Sequence, residues 1–365
     1  MRAPNYTGGG LVNAVAELER RLVGTAPSPG LRADLASCIP EATSYVLVMI
    51  DGLGDHQLDH PAAGPLTAGR RGTIDASFPT TTTVSLATMA TGLPPARHGL
   101  LGYQLWLPET GHVVGTIKWT TLWGEPIPYD YDGFLPSPTT WERLAAGGAE
   151  GIALQPANFE GSPLTRVLYR GARFEGYHDM EDSVDAAVSL VNTPGRLVVL
   201  YVPQVDFAAH VAGQQSEMYS EAMATAAGVW EQLANRLPSG TVAVGVADHG
   251  HVDIPPERRV VIPKADHTDR RFGGDARAVF VYGEGEDLAD RLPATWVPRA
   301  EMEHWWGPGE RHPQFEERAP DGVLVADPGH AILHRFSDDR LVGQHGGPTS
   351  LEIEVPLLVA EARKR

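Results

Sequence analysis

Three uninterrupted apolar runs constrain this chain more than any other feature: SYVLVMI (44–50), RLVVLYV (196–202) and TVAVGVA (241–247). Each is strand-sized and rich in Val and Ile, and none shows the alternation of a strand with one wet face. Such runs must be covered on both faces, as in a parallel sheet packed between helices. Between the last two, SEMYSEAMATAAGVWEQLANRL (216–237) carries Met218, Ala222, Ala226, Trp230 and Leu233 at helical spacing. Leu11, Val15, Leu18 and Leu22 predict another helix that stops near Gly24. The alternation implies an α/β fold, a doubly wound, mostly parallel central sheet with helices on both faces. Ligands of such sheets gather beyond the carboxyl ends of the strands. Here those ends carry Asp51, Asp206 and Asp248.

A length of 365 residues exceeds the usual single core. The expectation is one catalytic domain over 1–365 with two inserted segments: 104–140, rich in Pro, Trp and Tyr, and 253–340, with charged loops and a short strand pattern at Arg277 to Tyr282. Against 46 Asp+Glu stand 29 Lys+Arg, a net charge of −17, which excludes an extended nucleic-acid surface. The single cysteine, Cys38, rules out an internal disulfide framework and fits a reducing compartment. No apolar run approaches the ~18 residues that span a bilayer, and MRAPNYTGGGLVNAV lacks an apolar signal core. The expected location is cytoplasmic, with no membrane partner. Beside the acidic excess stand 14 His, and His with Asp is the usual ligand set of a transition metal. Trp106, Trp119, Trp123, Tyr129 and Tyr131 are read as the core of the first insertion in preference to a stacking surface for a base or aryl group.

Local spacing sorts these residues into five segments. In VMIDGLG (48–54) Asp51 follows a buried strand, and alone it reads as a turn. In FPTTTTVSLATMATGLPPARHG (78–99) four threonines lead into a short helix closed by Gly92; a threonine there can cap the helix, and the free N–H groups of a helix start suit an anion. In YVPQVDFAAHVAG (201–213) Asp206 and His210 lie four apart and share a helix face. In VGVADHGHV (244–252) Asp248 and His249 sit on a tight turn, and His251 is expected to point away from His249 if the turn runs on as a strand. In GQHGGPTSLEIEVPLLV (343–359) His345 sits in a Gly-rich loop. Together these residues offer ligands for two divalent cations, Zn²⁺ first and Mn²⁺ second. Two metals ~3.5–4 Å apart suit in-line displacement at phosphorus.

The ordered set of motifs resembles the alkaline phosphatase superfamily, and within it the type I phosphodiesterase/nucleotide pyrophosphatase family. The resemblance implies hydrolysis of phosphodiester or nucleotide pyrophosphate bonds in a small phosphate ester, through a covalent phosphothreonine-type intermediate. It assigns the nucleophile to Thr82, the fifth residue of FPTTT and nine before the Thr91 of TGL, with Thr81 and Thr83 as near rivals. It assigns Asp51, Asp248 and His249 to the metal that activates Thr82, and Asp206, His210 and His345 to the other. Three carboxylates against two divalent ions leave such a site cationic, so an anion can enter despite the overall charge.

The chain departs from the family where an asparagine follows the HG dipeptide: HGLLGYQLW puts Tyr103 there and Gln104 next. Either side chain can donate the same hydrogen bond to a phosphoryl oxygen. Lys118, Asn158 and Arg166 are better explained as solvated surface than as anion contacts, and His251 and His267 are rivals of His345 for the sixth ligand. A sulfatase reading fails, because Cys38 precedes Pro40 but Ala42 stands where an Arg is needed. Hydrolysis of a phosphomonoester or a carbon–phosphorus bond on the same core is the first alternative. A non-catalytic metal-binding scaffold is the second.

Overall fold

The three apolar runs become adjacent strands. The computed structural model describes residues 1–362. Ser44–Ile50 pairs in parallel with Arg196–Val202 on one side and with Thr241–Val246 on the other, and all of its residues are buried. The sheet has seven strands, in the order Arg70–Asp75, Glu354–Glu361, Thr241–Val246, Ser44–Ile50, Arg196–Val202, Glu150–Pro156, Arg173–Tyr177. Only Glu354–Glu361 runs against its neighbours. The helices form two groups, one around Leu11–Val23 and Thr82–Thr91, the other around Met180–Val191 and Glu217–Arg236. The sequence-predicted helices end as expected: Leu11–Val23 stops at Gly24, whose φ of 82° is left-handed.

The parallel strands share a direction, so Asp51, Asp206 and Asp248 emerge at one end of the sheet. Two short strands complete that end. Val252–Asp253 pairs antiparallel with Gly343–Gln344, which draws the loop of His251 against the loop of His345.

The segments read separately as insertions build one common sheet. Its order is Ala294–Pro298, Gly322–Ala326, Ala278–Tyr282, Arg271–Asp275, Gln104–Leu107, His112–Gly115, Thr120–Thr121. The two halves meet at Gln104 and Gly274. The aromatic residues of the first segment divide. Trp119 is buried and stacked on Tyr131, with ring centroids 5.3 Å apart, and it packs edge-on to Phe134. Trp106 lies against Tyr282 and Trp123 against Phe336, in another part of the molecule. Among the described residues no helix is long and apolar enough to cross a membrane.

Candidate active site

Thr82 opens the helix Thr82–Thr91, with Thr81 as N-cap and Gly92 closing it at a left-handed φ of 63°. The four threonines have different contacts. Thr80 ties down the His345 loop: its hydroxyl donates to the Gly347 carbonyl at 3.0 Å and accepts from the Gly346 N–H at 3.1 Å, while its carbonyl lies 2.8 Å from His345 Nδ1. Thr81 Oγ1 is 3.5 Å from Asp275 Oδ1. Thr83 is fully buried and its hydroxyl has no partner. Thr82 alone turns its hydroxyl toward an imidazole, 3.3 Å from His249 Nε2.

Asp51, Asp248 and His249 converge beside it. One oxygen of each carboxylate is committed to the protein: Asp51 Oδ2 accepts from the Tyr201 hydroxyl, and Asp248 Oδ1 accepts from Gly52 N–H at 3.0 Å and from His249 N–H at 3.1 Å. The other two, Asp51 Oδ1 and Asp248 Oδ2, are buried without a hydrogen-bond partner, and each lies 3.7 Å from His249 Nε2. Burial, then Asp206 and Asp248, push the Asp51 carboxyl well above its ordinary range. Burial, then Asp51 and Asp248, raise the Tyr201 hydroxyl as well. Two bare buried oxygens facing one imidazole nitrogen fit a cation, because an isolated buried carboxylate is strongly disfavoured.

The second group is Asp206, His249, His251 and His345, whose ligand atoms all lie within 4.8 Å of one another. His210 stands next to it, with Nε2 3.3 Å from Asp206 Oδ1. In three of the imidazoles Nδ1 faces a backbone carbonyl: His210 with Gly343 at 2.7 Å, His345 with Thr80 at 2.8 Å and His249 with Gly250 at 3.2 Å. An N–H spent on a carbonyl leaves Nε2 as the lone-pair nitrogen, the usual way a ligating imidazole is oriented. Burial, then His249 and His210, hold His345 well below its ordinary range, so it stays neutral and able to ligate.

His251 does not point away. The Gly250 N–H is held by the Glu352 carbonyl at 2.9 Å and the next residues pair with Gly343–Gln344, so the chain turns His251 inward, fully buried, with Nε2 2.7 Å from Asp206 Oδ1. Its Nδ1 meets no carbonyl. It therefore orients the Asp206 carboxylate and is not itself oriented in the way of the other three. Burial lowers the Asp206 site's affinity for charge, but His210 and the hydrogen-bonded His251 outweigh it and keep that carboxyl ionised.

Gly52 makes this convergence possible. Its φ is 73°, and a Cβ there would lie 2.8 Å from the His251 ring and 2.9 Å from Asp206 Cα. Gly52→Ala is expected to cost about 1–3 kcal/mol by overpacking and to weaken metal binding. Thermal unfolding and metal titration of the variant check this, and a protein loading metal as tightly as wild type would refute it.

A cavity of about 260 Å³ opens over Thr82 and is lined by Tyr103, Gln104, His210, Asp275 and His345 among others. Tyr103 and Gln104 thus face the same space as the threonine. Burial, then Asp275, raises the Tyr103 hydroxyl, and burial pushes Asp275 up to about 8. Lys118, Asn158 and Arg166 do not line it, and Arg166 pairs with Asp132 at the surface. His267 borders a different cavity. His98, from the HG dipeptide, is fully buried: its Nδ1 accepts from Leu100 N–H at 3.2 Å, which shapes the turn leading to Tyr103. Sequence reasoning misses Tyr201 and Asp275 as site residues and weighs His251 only as a rival of His345. Tyr201 sits inside an apolar strand and Asp275 in a Gly-Gly-Asp stretch that reads as a turn, so neither carries a local signal.

The fold matches solved structures. Murine ectonucleotide pyrophosphatase/phosphodiesterase 5 superposes with a TM-score of 0.68 at 19% identity, over 88% of this chain and 89% of that one. An inactive variant of the same murine protein in complex with AMP gives 0.67 at 19% identity, over 88% of each chain. Phosphonoacetate hydrolase from Sinorhizobium meliloti 1021, in complex with phosphonoformate, gives 0.59 at 18% identity, over 90% and 91%. No curated protein matches the chain in sequence. Residues 45–348 match the family described as type I phosphodiesterase / nucleotide pyrophosphatase. That span runs from the first buried strand past His345, so the chain belongs to the type I phosphodiesterase/nucleotide pyrophosphatase family of phosphate-ester hydrolases.

Proposed function

We propose that the chain hydrolyses phosphodiesters with Thr82 as nucleophile, using two divalent cations held by Asp51, Asp248 and His249 and by Asp206, His210 and His345. The observation that carries this reading is the Thr82 hydroxyl, at a helix start, 3.3 Å from His249 Nε2 and beside two bare buried carboxylate oxygens. Zn²⁺ suits this mixture of carboxylates and imidazoles best, and Mn²⁺ second. Divalent ions there supply positive charge that lowers the pKa of the hydroxyl and offsets charge on the phosphoryl oxygens.

The chain's own groups do the rest. The Thr82 oxygen bonds to phosphorus while the bond to the leaving oxygen breaks, and that oxygen departs with the proton of the Thr82 hydroxyl; water then attacks phosphorus, the bond to Thr82 breaks, and one proton of the water returns to the Thr82 oxygen. Free N–H groups of the first helical turn face the anion. Tyr103 and Gln104, which line the same cavity as Thr82, are the proposed donors to a phosphoryl oxygen, and Thr80 keeps the His345 loop against the Thr82 turn.

A diester is favoured over a monoester or a phosphonate carboxylate, which bring further negative charge. Among the described residues the pocket lining contains no Lys or Arg to receive a second negative charge; Asp338 there is paired with Arg340, and burial pushes Asp275 up to about 8. Bis(4-nitrophenyl) phosphate is expected to exceed 4-nitrophenyl phosphate in kcat/KM by ~10-fold or more, the equivalent of about 1.4 kcal/mol. A preference for the monoester would overturn the diester assignment. Stoichiometric metal with no turnover of either ester would favour the scaffold reading.

A further inference from the structure

A second cavity, of about 350 Å³, adjoins the reaction pocket, and the two share His334 as a wall. His334 Nε2 lies 2.5 Å from Gln104 Oε1. Burial, then His267 and Arg335, lower His334 to about 4, so the wall is uncharged near neutrality. Beyond it, Trp106, Trp123 and Phe336 line the space. The Trp123 and Phe336 rings are 5.7 Å apart, and Trp123 is 48% exposed. An indole that open beside two further rings offers a stacking surface.

Two guanidinium groups complete the cavity. Arg271 lies 4.3 Å from the Trp106 ring centroid and Arg335 4.5 Å from that of Phe336. Neighbouring Arg270 is neutralised by Asp266 and Asp287. Arg271 and Arg335 make no ion pair among the described residues, in a chain of net charge −17. A guanidinium stacked on a ring keeps its in-plane N–H groups free for a carboxylate or phosphate. The reaction pocket next door differs: among the described residues its lining has no Lys or Arg, Asp338 there pairs with Arg340, and burial pushes the Asp275 carboxyl up to about 8.

We propose that this second cavity is a subsite for the remote end of the substrate, and that it takes an aromatic ring bearing a negative charge. The proposal rests on the phosphodiesterase reading above. It makes the preferred substrate a diester that is uncharged beside the reacting phosphorus and anionic and aromatic at its far end.

The test is a matched set of 4-nitrophenyl phosphodiesters whose second ester group is ethyl, an ω-phenylalkyl chain or an ω-(4-carboxyphenyl)alkyl chain, with spacers of two to six carbons. At the best spacer the carboxyphenyl ester is expected to exceed the phenyl ester in kcat/KM by ~10-fold, mainly through KM. Arg271→Gln and Arg335→Gln should bring that ratio toward one. A ratio at or below one at every spacer, or one that both variants leave unchanged, overturns the subsite. If no ester is turned over, the phosphodiesterase reading fails, and direct binding still decides the subsite. Naphthalene-2-sulfonate, added to metal-loaded protein with excess inorganic phosphate, should quench tryptophan emission saturably in wild type and not in Trp123→Ala or in the double arginine variant. Absence of saturable quenching in wild type would overturn the proposal independently.

Discussion

Alanine in place of Thr82 is expected to reduce phosphodiester turnover by about 10³–10⁶-fold, the range met when a nucleophile is removed from an otherwise intact site. The fold should survive. Thr82 is the first residue of its helix, its side chain reaches the pocket, and its hydroxyl makes one contact, to His249; alanine is well tolerated at such a position. Metal content should also be unchanged, because the three donors beside Thr82 are held by Tyr201, Gly52 and Gly250 and not by the threonine. Thr82→Ser should retain part of the activity, since it keeps the hydroxyl and loses a methyl group. Thr81→Ala and Thr83→Ala should each remain within about tenfold of wild type, a loss of about 1.4 kcal/mol in transition-state stabilisation: Thr81 faces Asp275 and Thr83 is buried. Steady-state rates on bis(4-nitrophenyl) phosphate, with metal analysis of each variant, decide the matter. A Thr82→Ala protein as active as wild type would mean that water attacks directly or that another threonine takes its place.

Metal removal should have the next largest effect. Chelation is expected to abolish turnover and to lower the unfolding temperature, and Zn²⁺ or Mn²⁺ should restore both. The stability change follows from Asp51 Oδ1 and Asp248 Oδ2, which have no partner of their own, and from the mutual repulsion that helps raise Asp51. Saturation a thousandfold above the dissociation constant stabilises the folded chain by about 4 kcal/mol. For a chain of this length that corresponds to several degrees. Titration should find two equivalents per chain, and Asp248→Ala should lose one. An unfolding temperature and a rate that chelation leaves untouched would count against both cation sites.

The fold was legible wherever burial wrote itself into a short stretch. Ser44–Ile50, Arg196–Val202 and Thr241–Val246 read as strands because both of their faces are covered, and the helices Leu11–Val23 and Glu217–Arg236 read as helices because one face is apolar. The residues at the strand ends followed from topology, so Asp51, Asp206 and Asp248 could be brought together before any contact was seen. The second sheet was legible in one strand, Ala278–Tyr282, and not in its pairing. Its strands come from 104–121 and 271–326, and such pairing depends on register between distant segments, about which local periodicity says nothing. His251 was misjudged for a related reason. Its direction depends on a hydrogen bond from Gly250 to Glu352, a hundred residues downstream, and not on the strand tendency of its own neighbours. Of the aromatic residues read as one core, Trp119, Tyr129 and Tyr131 pack together, Trp106 packs against the core while also lining a cavity, and Trp123 lies open at that cavity.

The donors that converge at the end of the central sheet are spread from Asp51 to His345. In chain statistics, an ion that tried to gather them from the unfolded polymer would have to close several long loops at once, each with its own entropic cost. A small metal-nucleated domain, whose donors are a few residues apart, avoids that cost and folds around its ion. Here the order of events is reversed. The sheet must already be formed for the donors to meet, so an ion would arrive late at a finished cavity, and the metal-free chain is expected to stay folded and to load, empty and load again.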